Sequence, residues 1–187
     1  EQQIRQRREK TIGDARAQRN SLLARIQKTR AVHHIRLAFK NRLEQFAGRG
    51  TAQQRAALLY LAINLRSSVC SKGVAEIYTH EKHPRVKAMA VEAIDAVKGR
   101  ACAEVVKGEL TSGRLPIEHV LRFARMGIRM GLVDESKSVL ESNLGKTRDP
   151  IERVAFLATL YGLGDGSRLD EIQALLQRER RKIGRAS

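Results

Sequence analysis

The sequence of residues 149–176 is DPIERVAFLATLYGLGDGSRLDEIQALL, and this stretch decides the fold. Asp149 can cap a helix, and Pro150 at the first helical position loses no needed hydrogen bond. Glu152 follows the cap by three residues, so the two can form a capping box. Apolar residues then recur at helical spacing until a Gly-rich break at residues 162–166, and a second short amphipathic helix follows. A single helical hairpin cannot bury its own apolar face, so the pattern predicts neighbours of the same kind.

Similar helix openings recur along the chain. The three prolines are Pro84, Pro116 and Pro150, at intervals of 32 and 34 residues, and an apolar helical pattern follows each of them. One step earlier, Thr51 and Gln54 predict a further capping box. A fixed period of 20–50 residues is typical of stacked repeats. We therefore predict four units that begin near Thr51 and near the three prolines.

Two of these openings resemble the helix-opening motif of HEAT repeats. They are HPRVKAMA at residues 83–90 and DPIERVA at residues 149–155. The similarity is closest to the shorter HEAT variant also found in bilin lyases, whose units often close on Leu-Gly-Asp, as at residues 163–165. The resemblance covers about residues 51–177 and concerns architecture, not chemistry. It implies an all-α fold, a short right-handed α-solenoid of about four HEAT-like helical hairpins, with units near 51–83, 84–115, 116–149 and 150–177.

The positive charge is concentrated in the two flanks of the chain. The formal net charge is +16, and residues 1–50 carry 13 Lys/Arg against 4 Asp/Glu. Residues 178–187 carry 5 against 1, which leaves the repeat body nearly balanced. Arginine outnumbers lysine by 25 to 11, which favours planar bidentate contacts with carboxylate or phosphate groups. We therefore divide the chain into a basic N-terminal helical arm (1–48), the repeat domain (51–177) and a basic tail (178–187).

The arm has the composition of a long helix or of two helices. Residues 14–47 contain neither Gly nor Pro. The second half has an apolar stripe that we expect to dock on the first repeat: Val32, Ile35, Phe39, Leu43 and Phe46. The first half has only a thin stripe, formed by Ile12, Ala15, Leu22 and Ile26. We expect it to project from the body or to form half of a coiled coil, which includes the option of self-association.

The third unit has a basic helix face. Arg122, Arg125 and Arg129 lie at helical spacing with His119 one turn earlier. When the units are aligned on their prolines, the corresponding residues are mostly apolar: Ala90, Ala93, Val97, Phe156, Thr159 and Leu163. The HEAT resemblance implies that this helix lines a concave groove, so the basic face is a candidate seat for an acidic helix or a phosphate. The alternative is a solvated helix face without a ligand.

The basic arm and tail form a second candidate site, for polyanions. Its residues are Arg5, Arg7, Arg8, Arg16, Arg19, Arg180, Arg181 and Lys182. Contact with DNA or RNA would act through phosphates, without base reading, and would depend strongly on salt. An acidic protein surface and a merely solubilising helix are the alternatives. A membrane-surface helix is disfavoured because residues 1–20 lack bulky apolar residues opposite their charges.

The sequence contains no recognisable catalytic constellation. His80 and His83 have a spacing that can hold a metal, but no second cluster lies near in sequence, so we predict neither metal nor cofactor. HEAT-like DNA glycosylases use groove aromatics and a catalytic Asp that find no match here, and bilin lyase activity would rest on fold analogy alone. The preferred function is a non-enzymatic adaptor that binds an acidic partner segment in its groove. The alternative is a nucleic-acid-binding module acting through arm and tail.

Cysteine usage and hydropathy suggest a location. Cys70 and Cys102 are the only cysteines, and we expect them to be small core residues of a protein in a reducing, cytoplasmic compartment. No apolar run reaches membrane-spanning length, so we predict no membrane insertion within this chain. The sequence begins at Glu1 without Met, which leaves open a preceding segment, including a membrane anchor.

Overall fold

The computed structural model describes the backbone of residues 2–186 and the side chains of residues 18–25 and 27–181. Helices make up 82% of the chain, and no strand occurs in the described backbone, so the predicted all-α class is confirmed. The α-helices in chain order are α1 (Gln2–Ala47), α2 (Ala52–Leu65), α3 (Ser71–His80), α4 (Pro84–Val97), α5 (Arg100–Thr111), α6 (Ile117–Arg129), α7 (Val133–Leu144), α8 (Pro150–Gly162) and α9 (Arg168–Ala186). A short 3-10 helix (Ser68–Cys70) precedes α3.

Local sequence signals explain where α2, α4 and α8 begin. The capping box predicted for α2 is present: Thr51 Oγ1 accepts the Gln54 N–H at 3.2 Å, and Gln54 Oε1 accepts the Thr51 N–H at 2.9 Å. Pro84 and Pro150 are the first residues of α4 and α8, where the missing N–H leaves no helical bond unmade. The starts of α2, α4, α6 and α8 follow one another at intervals of 32, 33 and 33 residues.

Asp149 caps α8 but does not form the predicted capping box. Its Oδ1 atom accepts the N–H of Ile151 at 3.1 Å. The box would require the N–H of Glu152 as donor and a return bond from the Glu152 side chain, and neither is formed. The cap therefore satisfies the second helical N–H group rather than the third.

Pro116 is the N-cap of α6 rather than its first helical residue. The alignment of the units on their prolines is therefore wrong by one residue in the third unit. That alignment pairs Arg122 with Ala90 and Phe156. Counting from the helix starts pairs Ala90 and Phe156 with Phe123, and all three side chains are buried. The predicted contrast between a basic third unit and apolar neighbouring units thus arose because surface residues of α6 were compared with residues of α4 and α8 that lie mostly in the core.

The helices pack mainly on helices that are close in sequence. Helix α2 packs on α4, α3 packs on α4 and α5, α5 packs on α6 and α7, and α8 packs on α7 and α9. Their apolar faces join into one buried cluster that extends from Leu43 in α1 to Leu160 in α8. Helix α6 lies close to α7 and α5, because a Cβ atom on Gly127 would lie 2.4 Å from Ser136 Oγ of α7 and 2.8 Å from Leu110 Cδ1 of α5. A glycine at this position is therefore required by the close approach of the neighbouring helices.

Helix α1 is continuous, as one of the two alternatives for the arm predicts, and it ends at the expected Gly48–Gly50 break. Its last turns pack on α2, α3 and the 3-10 helix, and Leu43 is fully buried. Val32 and Ile35 are 40% and 61% exposed, so the docking predicted for the first part of the stripe is wrong. The reason is length: α3 has ten residues, about 15 Å, and supports only about the last nine residues of a straight helix.

The two cysteines are buried, free thiols, as the core interpretation expects. Cys70 ends the 3-10 helix, and Cys102 lies in α5, where its N–H donates to Ser71 Oγ at 3.0 Å. Burial raises the pKa of both thiols, so neither forms a reactive thiolate at neutral pH. Within the described part of the chain, no helix has both the length and the apolar character that crossing a bilayer requires.

Candidate functional site

A cleft of about 510 Å³ opens between the first turns of α4 and α6, and we call it the α4/α6 cleft. Residues of α4 and α6 make up most of its lining, and Tyr78 of α3 and Glu109 of α5 also contribute. Charged side chains surround an apolar interior. The residues that line it are Tyr78, Lys82, Pro84, Lys87, Ala88, Val91, Glu109, Leu115, Pro116, His119, Arg122 and Phe123.

The base of the cleft is aromatic. The rings of Tyr78 and Phe123 lie 6.4 Å apart between centroids and are tilted by 55°, and both side chains are almost fully buried. The Tyr78 hydroxyl donates a hydrogen bond of 2.8 Å to Glu109 Oε1. Burial raises the pKa of Tyr78 and the bond to Glu109 raises it further, so this phenol stays neutral and fixed in place. The two rings therefore form a rigid base for the cleft, although only a small fraction of their surface is exposed.

The rim of the cleft is cationic. Lys87 Nζ lies 4.7 Å above the centroid of the Tyr78 ring, within the range of a cation–π interaction. Lys82 and Arg122 are exposed on the same rim. Among the described residues, none forms an ion pair or hydrogen bond with the Arg122 side chain. The only carboxylate in the lining, Glu109, already accepts the Tyr78 hydroxyl, so the cleft has an excess of positive charge.

The structure distributes the four predicted anion-binding residues over three places. All four are exposed on α6, but only His119 and Arg122 line the cleft. Arg125 Nε donates to Thr159 Oγ1 of α8 at 3.4 Å. Arg129 is paired with Asp95 of α4, with Nη2 and Nε at 2.6 and 3.2 Å from the same Oδ1 atom. Arg129 is thus paired with a carboxylate of the chain itself, whereas Arg122 lines the cleft.

A buried ion pair holds the loop that carries Lys82. Arg55 Nε donates to Glu81 Oε2 at 2.7 Å, and Arg55 also donates to the Gly50 carbonyl. Glu81 Oε1 accepts the backbone N–H groups of Lys82 and His83 at 2.9 Å each. The bond from Arg55 and, to a smaller extent, the two N–H groups lower the pKa of Glu81 to about 2 against the effect of burial. This network fixes the start of α4 and one edge of the cleft.

The residues of the second candidate site fall in the two flanks. The side chains of Arg5, Arg7, Arg8, Arg16 and Lys182 lie outside those that the structure describes. Arg19 on α1 and the tail residues Arg180 and Arg181 on α9 are exposed. Every described side chain of residues 18–38 is exposed, so the basic arm is accessible to a ligand over this length.

Sequence reasoning missed the part of the cleft that comes from other units. Lys82, Lys87, Tyr78 and Glu109 belong to α3, α4, α5 and the loop before α4, and no local pattern connects them with α6. One signal was present: Tyr78 and Glu109 are separated by 31 residues, close to the period of the helix openings. Residues one period apart are natural candidates for contact in a stack.

Among the described side chains, no three or more His, Cys, Asp or Glu residues are grouped so as to hold a metal ion. A scan of protein-family models, a search of curated proteins and a search of solved structures each gave no match to this chain. The resemblance to HEAT repeats therefore stays a prediction that depends on the helix-opening motifs.

Proposed function

We propose that this chain is a non-enzymatic helical-repeat adaptor that binds an acidic protein segment in the α4/α6 cleft. The observation that carries the proposal is the cleft itself, in which an aromatic base of Tyr78 and Phe123 lies beneath the exposed cations Lys82 and Arg122 and the half-buried Lys87. A peptide segment with a carboxylate next to an apolar side chain matches both features. The carboxylate would pair with the rim, and the apolar side chain would pack on the apolar part of the lining, where Ala88 and Pro116 are exposed.

The proposed architecture is a short α-solenoid of HEAT-like hairpins. It is supported by bonds between residues about one repeat apart. Tyr78 bonds to Glu109 and Cys102 to Ser71, each across 31 residues. Arg125 bonds to Thr159 and Arg129 to Asp95, each across 34 residues. Such a spacing is expected when each hairpin stacks on its neighbour, and stacked hairpins leave grooves in which partner segments bind.

Electrostatics favours an acidic partner over a basic or neutral one. A carboxylate at the rim would form a charge-assisted pair with Arg122, whose guanidinium can bind it through two parallel bonds. The pair would be partly shielded from water by the cleft walls, which makes it stronger than a pair on an open surface. The two buried free thiols fit a reducing compartment, and we propose a cytoplasmic location on that ground.

The test is a selection of binding peptides from a random library displayed on phage, followed by fluorescence anisotropy of the selected peptides on the intact chain. We expect enriched peptides to carry Asp or Glu next to an aliphatic or aromatic residue. Arg122→Glu should weaken their binding at least tenfold because it places a like charge at the rim. Arg125→Glu should change it far less, since Arg125 does not line the cleft.

A matched control is Arg85→Glu, which makes the same charge change at an exposed position in the first turn of α4, outside the cleft lining. Circular dichroism should show the same helical content for all three variants. Selected peptides without acidic residues, or peptides that bind the Arg122 and Arg85 variants equally well, would contradict the proposal.

A further inference from the structure

The exposed segment of α1, residues 18–38, differs from the other helical segments whose side chains the structure describes. All its described side chains are exposed, and the first α1 side chains that pack on the body are those of Phe39 and Leu43. The first ion pair along the described part of α1 is that of Lys40 with Glu44, beyond the segment. This segment has a surface that the remainder of the described chain does not cover.

The segment is cationic without any compensating charge. Between residues 15 and 43 the sequence contains no Asp or Glu. The cations within the exposed segment are Arg19, Arg25, Lys28, Arg30 and Arg36, with His33 and His34 among them. None of the described side chains here forms an ion pair, in contrast to the cations of the body. The unpaired positive charge favours an anionic ligand. The arrangement of the cations around the helix distinguishes between the possible anionic ligands.

The cations are spread around the helix rather than collected on one face. Each residue advances the helix by about 100°. By that rotation Arg25 and Arg36 lie on the same side of the helix. Measured from Arg36, Lys28 lies about 80° away in one direction, and Arg19 and Arg30 lie about 100–120° away in the other. The positive charge therefore covers about 200° of the circumference, more than one partner helix or one flat surface can contact.

The apolar residues of the segment are spread in the same way. By the same rotation Leu22, Leu37 and Leu23 lie within about 100° of one another, and Val32 and Ile35 lie on other sides of the helix, each at least one third exposed. A coiled-coil partner needs one continuous apolar seam, and a helix lying on a membrane needs one apolar face. Between Leu22 and Leu37 the same side carries Thr29 and His33, so the described side chains form no continuous seam or face, and neither association explains the charges.

We propose that the exposed segment of α1 binds duplex DNA by lying in the major groove and contacting the phosphates on both of its sides. The groove is about 12 Å wide and admits a helix of 10–12 Å diameter. Twenty-one residues of helix span about 32 Å, enough to cross the groove between its two phosphate backbones. The contacts proposed are with phosphates, which carry no sequence information, so we expect mixed-sequence DNA to bind. Duplex RNA is excluded because its A-form major groove is too narrow for a helix.

The experiment titrates the full chain with a mixed-sequence DNA duplex, a matching RNA duplex and polyglutamate, each at several salt concentrations. For DNA, the logarithm of the association constant should fall linearly with the logarithm of salt concentration. The variant R25Q/R30Q/R36Q should reduce the magnitude of that slope by about 3, because each lost phosphate contact contributes about 0.9. The variant R25K/R30K/R36K keeps the charges and should keep the slope.

The matched control removes three cations from exposed positions of the body, K72Q/R85Q/R100Q, with the same change in net charge. It should leave the slope nearly unchanged if the contacts are made by α1. Equal losses in the two glutamine variants would overturn the proposal, as would RNA binding as tight as DNA binding, or the absence of DNA binding at low salt. Equal affinity for polyglutamate would assign the segment to an acidic protein surface instead.

Discussion

The exposed segment of α1 and the helical body carry similar cations in opposite electrostatic situations. In the body, several cations are matched within the fold, as Arg55 is by Glu81, Arg129 by Asp95 and Arg168 by Asp165. In residues 18–38, no described cation is matched. Charges that are paired internally contribute to the fold, whereas unpaired charges on an uncovered helix are available for binding. The same residue types therefore contribute to stability where they are paired, and they are available for recognition where they are not, along residues 18–38 and at Arg122 in the α4/α6 cleft.

The largest expected contrast concerns two leucines of the same helix. Leu43→Ala should lower the free energy of unfolding by about 2–5 kcal/mol, because Leu43 is fully buried at the junction of α1 with the body. Leu22→Ala should change it by no more than about 0.5 kcal/mol, because Leu22 is 56% exposed. Urea denaturation followed by circular dichroism measures both. Equal effects of the two substitutions would show that the exposed segment is packed after all.

The buried ion pair of the body should respond to substitution and to pH. Glu81→Gln should cost about 2–3 kcal/mol at pH 7, because it leaves the Arg55 guanidinium without its partner in a mostly buried site. In the wild type, the low pKa of Glu81, about 2, against an ordinary 4.5, stabilises the fold fully above pH 4.5. That contribution is lost as the pH falls from about 4.5 towards 2.

The measurement is the free energy of unfolding as a function of pH for both proteins. The two curves should be well separated at neutral pH and should converge in acid. The variant D95N, which removes the exposed carboxylate that pairs with Arg129, is the control and should follow the wild type closely. Parallel curves for the wild type and Glu81→Gln down to pH 2 would contradict the assignment of this pH dependence to Glu81.

One substitution should have opposite signs at two glycines of the body. Gly127→Ala should destabilise by about 1–3 kcal/mol, because the added methyl group would collide with Ser136 and Leu110. Gly108→Ala should stabilise by about 0.5–1 kcal/mol, because Gly108 lies inside α5 with open space around it. Thermal unfolding of the two variants, monitored side by side, tests the packing of α6 against α7. A gain in stability at Gly127 would mean that this packing is looser than described.

The smallest effect is expected at the surface pair that connects α4 and α6. Asp95→Asn should cost no more than about 1 kcal/mol, because both partners are about 40% exposed to water. Urea denaturation of the variant beside the wild type measures this cost. A cost comparable with that of Glu81→Gln would show that the exposed pair of Arg129 and Asp95 stabilises the fold as strongly as the buried pair of Arg55 and Glu81.

Local signals predicted the helices of the body well. The capping box at Thr51 and Gln54, and the starts of two helices at Pro84 and Pro150, depend on neighbouring residues alone. Pro116 was misplaced by one position because a proline fits both the N-cap and the first helical turn. That single step changed which residues of α6 were compared with the cores of α4 and α8.

The cleft could be predicted only in part. Arg122 and His119 follow from helical spacing within α6, but Tyr78, Lys87 and Glu109 reach the same cleft from three other helices. Their proximity depends on the distance and angle between stacked helices, which periodicity does not specify. The same limit explains why the docking of α1 was overestimated, since a stripe of apolar residues does not tell how long a surface the neighbouring helices offer.

The uninterrupted course of α1 has a mechanical consequence. A single helix without Gly or Pro between residues 14 and 47 acts as a stiff lever whose pivot is the buried contact at Leu43. Twenty residues beyond the pivot, about 30 Å away, a tilt of only 10° displaces the helix by about 5 Å. Small changes in the packing of α2 and α3 around Leu43 are thus magnified into large displacements of a ligand bound near the far end of α1.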